Sequence, residues 1–224
     1  MPELSLPTDP RARTLLASSA VFGLAYLGHG LGLAAPYPLS VLIKAAGIVL
    51  LGLLALHRRA PLLGVGLLLG ALGDIFLALQ PTQVGPGIGA FGLGHLIYVV
   101  LFLGQWRREG ARGPLGWVAA AALAAFGLAM LIYLQPHFGP LRVPASIYNG
   151  IIIIMVCLAL AGRSPTFAWA GALLFVASDS LLAMRMFAGQ LDWAGPLVWL
   201  TYYLGQAGLA LGLSSEDPPP ATPA

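Results

Sequence analysis

The chain has 224 residues, 58% of them hydrophobic and 8% charged, with a formal net charge of +3. An average soluble domain is about 25% charged, so this chain has too little polar surface to coat a soluble globule. Its small positive balance also supplies no nucleic-acid-binding stripe. A mean hydropathy of +0.87 describes an integral membrane protein.

Charged residues, prolines and glycines break the sequence into apolar runs near 14–34, 38–56, 62–80, 87–105, 114–133, 144–162, 166–188 and 193–213. Each is about 20 residues, the length at which a helix crosses a hydrocarbon core about 30 Å thick. The expectation is an all-α polytopic protein, with one eight-helix transmembrane domain over 14–213. The first run is too long to be a signal peptide. Residues 1–13 form a cytoplasmic segment, and 214–224, with Glu216, Asp217 and three consecutive prolines, a disordered cytoplasmic tail.

Orientation follows from the arginines. Arg11, Arg13, Arg58, Arg59, Arg107, Arg108, Arg112 and Arg163 fall on the side of the N-terminus, against Arg142 and Arg185 on the other. The positive-inside rule then makes both termini cytoplasmic, and the expected location is the bacterial inner (cell) membrane. Cys157 is the only cysteine, which excludes an intramolecular disulfide and a cysteine metal cluster. Oligomeric state is not encoded in any feature of the sequence.

Two aspartates interrupt the apolar runs within related motifs, Gly73-Asp74-Ile75-Phe76-Leu77-Ala78 and Ser178-Asp179-Ser180-Leu181-Leu182-Ala183. Intramembrane carboxylates are costly and mark functional sites, although capping by neighbouring helices is a structural alternative. The two positions are 105 residues apart (179 − 74), and the same offset places Lys44 over Asn149, Arg58 over Arg163 and Tyr98 over Tyr203. An offset of 104 aligns Phe22-Gly23-Leu24-Ala25 with Phe126-Gly127-Leu128-Ala129. These matches fit either two parallel four-helix repeats or chance recurrence of Leu, Ala and Gly. Gly66, Gly70 and Gly73, and Gly92 and Gly94, have the spacing that lets helix backbones approach.

With these spans, Lys44, Asp74, His95, Asn149, Asp179 and Tyr202 lie about 7 to 14 Å from the non-cytoplasmic ends of their helices. Six polar side chains on six helices would therefore converge on an interior cavity open toward the outer face. His95 with Tyr98, and Tyr202 with Gln206, have the i, i+3 and i, i+4 spacings of one helix face. Ser178 is placed to bond near Asp179 or to its own backbone. One lysine beside two carboxylates leaves an excess negative charge that a proton would neutralise, and an acid next to a carboxylate is equipment for general acid–base chemistry. Asp74, Asp179 and His95 could also make a three-ligand metal set, but no HExxH pattern accompanies them, so neither metal nor cofactor is expected.

Lys44, Gly73-Asp74, Phe91-x-x-Gly94-His95-x-x-Tyr98, Tyr148, Gly171-Ala172-Leu173-Leu174-Phe175-x-x-Ser178-Asp179 and Tyr202-Tyr203-x-x-Gln206 occur in this order. Together, over residues 14–213, they resemble the YhhN-like lysoplasmalogenase family of eight-helix membrane proteins. The resemblance implies hydrolysis of the vinyl ether bond of a lysophospholipid, giving a fatty aldehyde and glycerophosphoethanolamine or glycerophosphocholine. It casts Asp74, Asp179 and His95 as catalytic groups and Lys44, Tyr98, Tyr148, Asn149, Tyr202, Tyr203 and Gln206 as substrate-binding ones, with the apolar walls below the polar layer taking the chain. The expected partners are that substrate and membrane lipids, with no nucleic acid. A proton-coupled transporter, a hydrolase of another lipid, and an assembly protein whose buried charges fix helix register are the alternatives. A conduit would need polar groups continuing to the cytoplasmic side, where, Ser18 and Ser19 aside, the spans are apolar.

Overall fold

A computed structural model describes residues 7–214; residues 1–6 of the expected N-terminal segment and the tail beyond Ser214 lie outside the described residues. Eight α-helices follow one another: α1 Pro10–Gly30, α2 Leu39–His57, α3 Pro61–Ala78, α4 Val84–Glu109, α5 Pro114–Leu134, α6 Arg142–Ala161, α7 Thr166–Ala188 and α8 Gly195–Leu213. Six of them, α2 to α7, are long and apolar enough to cross a membrane. Large apolar side chains such as Leu24, Leu42, Val118, Leu128 and Ile132 are exposed on the outside of the bundle, as the surface of an integral membrane protein requires. The remaining two helices are less apolar for visible reasons. Arg11, Arg13 and Ser19 lie on α1, and α8 carries Tyr202, Tyr203 and Gln206 toward its neighbours.

Helix limits follow local chemistry. Asp9 starts α1 four residues before the expected boundary, its carboxylate accepting from the Ala12 amide at 2.8 Å, with Pro10 in the first helical position where its missing N–H costs nothing. That helix stops at Gly30, and Gly32 follows at φ 106°. α3 ends at Ala78 because Leu79 and Gln80 lead into Pro81, which disfavours helical backbone in the residue before it. α4 runs on to Glu109, placing Arg107 and Arg108 in its last turn, where cations suit the helix dipole.

Sequential helices pack as antiparallel neighbours, α1 on α2, α2 on α3, α3 on α4, then α5 on α6, α6 on α7 and α7 on α8. The two halves are joined by α4 against α6 and α8 against α2. At the end that holds the N-terminus, His57 Nε2 is 2.7 Å from Asp9 Oδ2. At the same end, the α4–α5 and α6–α7 connections exchange backbone bonds, Arg112 N to Ala161 O at 2.7 Å and Arg163 N to Gly110 O at 3.1 Å. The closest helix pair is α7 with α8: a Cβ on Gly171 would lie 2.7 Å from Gly205 O, and one on Gly208 2.7 Å from Phe167 O.

Candidate active site

Asp74 sits on the glycine face of α3. A Cβ at Gly66 would fall 2.8 Å from the Tyr98 ring, at Gly70 2.7 Å from Gln206 Nε2, and at Gly73 2.6 Å from the Phe91 ring. Three glycines thus admit side chains from α4 and α8 to the α3 backbone and wall Asp74 in, leaving it 2% exposed. Lys44 of α2 reaches it, with Nζ 3.1 Å from Oδ1, while lying over the Tyr26 ring. Buried polar groups continue the cluster: the Tyr98 hydroxyl donates to Gln206 Oε1 at 2.9 Å, and Gln206 Nε2 donates to the Tyr202 oxygen at 3.2 Å. With a lone pair of Tyr202 taken, its own proton can point elsewhere. Asp74 lies next to it, though not in hydrogen-bonding geometry, and Asp74 Oδ2 is buried without a partner.

Asp179 has different surroundings. Successive residues diverge by about 100° on a helix, so Ser178 turns to α8, donating to Val198 O at 2.9 Å, and Asp179 turns to α6. There the Tyr148 hydroxyl donates to Asp179 Oδ2 at 2.5 Å. Both line a cleft bounded by the start of α4 and by α5, α6 and α7, with about 820 Å³ of space between its walls, part of it open to the exterior. Its walls are apolar, among them Ile88, Met130, Leu134, Phe138 and Phe187, and its polar lining is Tyr148, Asn149, Asp179 and Ser180. Ser180 bonds its own helix at Val176 O; Asn149 makes no side-chain hydrogen bond among the described residues. From Asp179 the cleft reaches one turn toward the end that holds the N-terminus, to Val176, Ile152 and Ile153, and farther toward the opposite end, to Ala145 and Phe187. The apolar space for a chain therefore lies mainly between the polar layer and that opposite end, whereas the expectation placed it on the other side of the layer.

Between the two clusters stands His95, 1% exposed. Its Nδ1 is 2.6 Å from Phe91 O, a bond that leaves Nε2 as an acceptor, buried and without a partner. Its ring meets Phe175 at 4.2 Å, Tyr98 at 5.6 Å and Tyr148 at 5.6 Å between centroids, so it touches a member of each cluster. Tyr203 is directed away from both. Its hydroxyl lies 2.9 Å from Ser19 Oγ, which donates to Gly47 O at 2.7 Å, tying α8 to α1 and α2. Among the described residues no three His, Cys, Asp or Glu side chains are grouped to hold a metal ion.

Of the sequence-derived candidates, then, Lys44, Asp74, Tyr98, Tyr202 and Gln206 form one cluster, and Asp179, Tyr148 and Asn149 another. The pairing of Tyr148 with Asp179 is the feature hardest to read from sequence. The offset that sets Asn149 over Lys44 held a signal for it, since it assigns α6 to supply Asp179 with a partner as α2 supplies Asp74.

Residues 39–213 match the model of the YhhN family. The lysoplasmalogenase of Mycobacterium tuberculosis is 33% identical over 221 residues, covering 88% of this chain and 84% of the relative. The lysoplasmalogenase TMEM86A of Bos taurus is 29% identical over 180 residues, 75% of this chain and 72% of the relative. TMEM86B of Homo sapiens, also a lysoplasmalogenase, is 31% identical over 171 residues, 72% of this chain and 66% of the relative. No solved structure matches the chain.

Proposed function

This chain belongs to the YhhN family, and from that membership and the cleft at Asp179 we propose that it is a lysoplasmalogenase. It hydrolyses the vinyl ether of a single-chain phospholipid to a fatty aldehyde and glycerophosphoethanolamine or glycerophosphocholine. The observation that carries the reading is a carboxyl group, clasped by a tyrosine, on the wall of an apolar cleft.

Charge pairing divides the labour. Asp74 faces the Lys44 ammonium at 3.1 Å, whereas Asp179 meets the Tyr148 hydroxyl and no cation, so Asp179 is the one to carry the proton. It gives that proton to the alkene carbon beta to the ether oxygen, leaving an oxocarbenium ion. The new carboxylate and the Asp74 carboxylate behind it stabilise the cation, by the logic of glycoside cleavage. Water adds to the carbon next to the oxygen and returns a proton to Asp179. The hemiacetal hydroxyl then gives up its proton as the bond to the glycerol oxygen breaks, that oxygen takes up a proton, and the aldehyde is released.

Asn149, with its amide free in the cleft, orients the water or the ether oxygen. His95 holds the Tyr148 ring in place and has an acceptor available for a proton in transit, and Tyr98 and Gln206 position Tyr202 beside Asp74. All eight helices form one transmembrane domain, built as two parallel four-helix repeats. Support for the repeat comes from the paired exchange of α4 onto α6 and α8 onto α2. Both termini are cytoplasmic in a bacterial inner membrane, with the arginine-rich helix ends on that side.

Aldehyde release by purified protein given lysoplasmalogen tests the reading. Wild type should produce aldehyde and Asp179→Asn none; a folded Asp179→Asn variant with unchanged turnover would remove Asp179 from the chemistry.

A further inference from the structure

The cleft beside Asp179 offers a phosphate no cation. None of its lining residues is Lys, Arg or His. Lys44, the cation of the neighbouring cluster, does not line it and is already 3.1 Å from Asp74. At the outer ends of the helices, Arg142 is exposed at the start of α6. Arg185 lies against α8, its guanidinium 3.5 to 3.6 Å from where a Gly195 Cβ would be. That is the side of α7 from which Ser178 bonds α8, not the side of Asp179. A phosphodiester entering an apolar cleft beside a carboxyl, with no cation to meet it, loses hydration worth several kcal/mol and gains no pair in return. Binding energy that the cleft does not offer to the headgroup cannot be used in the transition state.

Resting on the activity proposed above, we infer that the site selects the single alkenyl chain and its enol ether alone. Its substrate class is single-chain 1-alkenyl ethers of glycerol, with or without a phosphate headgroup. The headgroup then affects how the lipid partitions to the site and leaves the chemical step unchanged. In kinetic terms, removing it moves KM and not kcat.

Two lipids of equal chain length decide this: 1-alkenyl-glycerophosphocholine and 1-alkenylglycerol, each given to the full-length protein in detergent, with aldehyde followed against mole fraction of lipid. The expected result is a kcat for the phosphate-free lipid equal to that of the phospholipid within about fivefold, or above it, whatever the change in KM. Hydrolysis of the phospholipid with a larger deficit for 1-alkenylglycerol, or none of it cleaved, overturns the inference. Cleavage of 1-alkenylglycerol without cleavage of the phospholipid would reject the lysoplasmalogenase reading and this inference together, because the headgroup would then decide turnover.

Discussion

Tyr148 and Lys44 are the residues whose roles differ most between the two aspartates. The Tyr148 hydroxyl is 2.5 Å from Asp179, and its bond strengthens as Asp179 gives up its proton, so it stabilises the transition state more than the ground state. Tyr148→Phe keeps the ring that packs on His95 and removes only the donor; kcat should fall on the order of 100-fold with the fold intact. Unchanged kcat in steady-state aldehyde release would show that the bond only orders the apo cleft. Lys44 is a different case. Lys44→Met strands the Asp74 carboxylate in the bundle, and unfolding in detergent should show a loss of about 3–5 kcal/mol. Adding Asp74→Asn to it should restore part of that loss, because no unpaired charge then remains. A double variant less stable than Lys44→Met would mean the two side chains do not act as an ion pair.

At the scale of helices, glycine contacts decide which pairs can give. At Gly171 the obstacles are backbone atoms, Gly205 O at 2.7 Å and Leu209 N at 2.8 Å from an added Cβ, so Gly171→Ala must push α7 and α8 apart. A cost of about 1–3 kcal/mol is expected, together with reduced turnover, since Ser178 and Asp179 ride on the displaced helix. At Gly70 the obstacle is the end of the Gln206 side chain, which can shift by giving up its bond to Tyr202 while the helices stay in place, so Gly70→Ala should cost less. Equal losses of thermal stability at the two positions would contradict this ranking.

The first helix offers a pH-dependent case. The Ala12 amide first, and His57 second, hold the Asp9 carboxyl below its ordinary value. A carboxyl lowered in the folded state contributes above its unfolded value, about 3.9, and stops contributing as pH falls through the folded one. The start of α1 should therefore fray in acid, and Asp9→Ala should produce the same fraying at neutral pH. Hydrogen exchange at Ala12 and Arg13 that stays slow in both conditions would show that Asp9 does not hold the turn.

How far such features are legible in the sequence depends on whether they are local. Helix existence was legible because each apolar run is bounded by its own Pro, Gly or Arg. Boundaries moved where local chemistry set the limit, by four residues at the Asp9 cap and by two at the turn from Leu79 to Pro81. Asp74, Lys44 and His95 stood out because charge in an apolar run has few structural uses. The division of the layer did not, because the directions of Tyr148, Tyr203 and Ser178 depend on which helices face one another.

For the molecule as a whole, the distribution of arginines and the alternation of helices make one joint statement about topology. His57 meets Asp9, and the Arg112 guanidinium donates to Ser164 O at 2.9 Å, so the N-terminus, the α2–α3 turn, the α4–α5 turn and the α6–α7 turn lie at one end of the bundle. An odd number of crossings between any two of these points would separate them. If that end is cytoplasmic, single cysteines in place of Arg59 or Arg163 should resist a membrane-impermeant maleimide in intact cells and react after lysis. Cysteines in place of His137 or Gln190, both exposed at the opposite end, should react in intact cells from outside. Cys157 must first become Ser, and this should be tolerated because its thiol bonds only the Ala120 carbonyl, which a hydroxyl can also do. Labelling of Arg59→Cys and Gln190→Cys from the same side would overturn the eight-span arrangement. Labelling of Arg59→Cys alone from outside would preserve the arrangement and invert it. In that event the cleft would open toward the cytoplasmic leaflet, and the lipid would have to be supplied from that side.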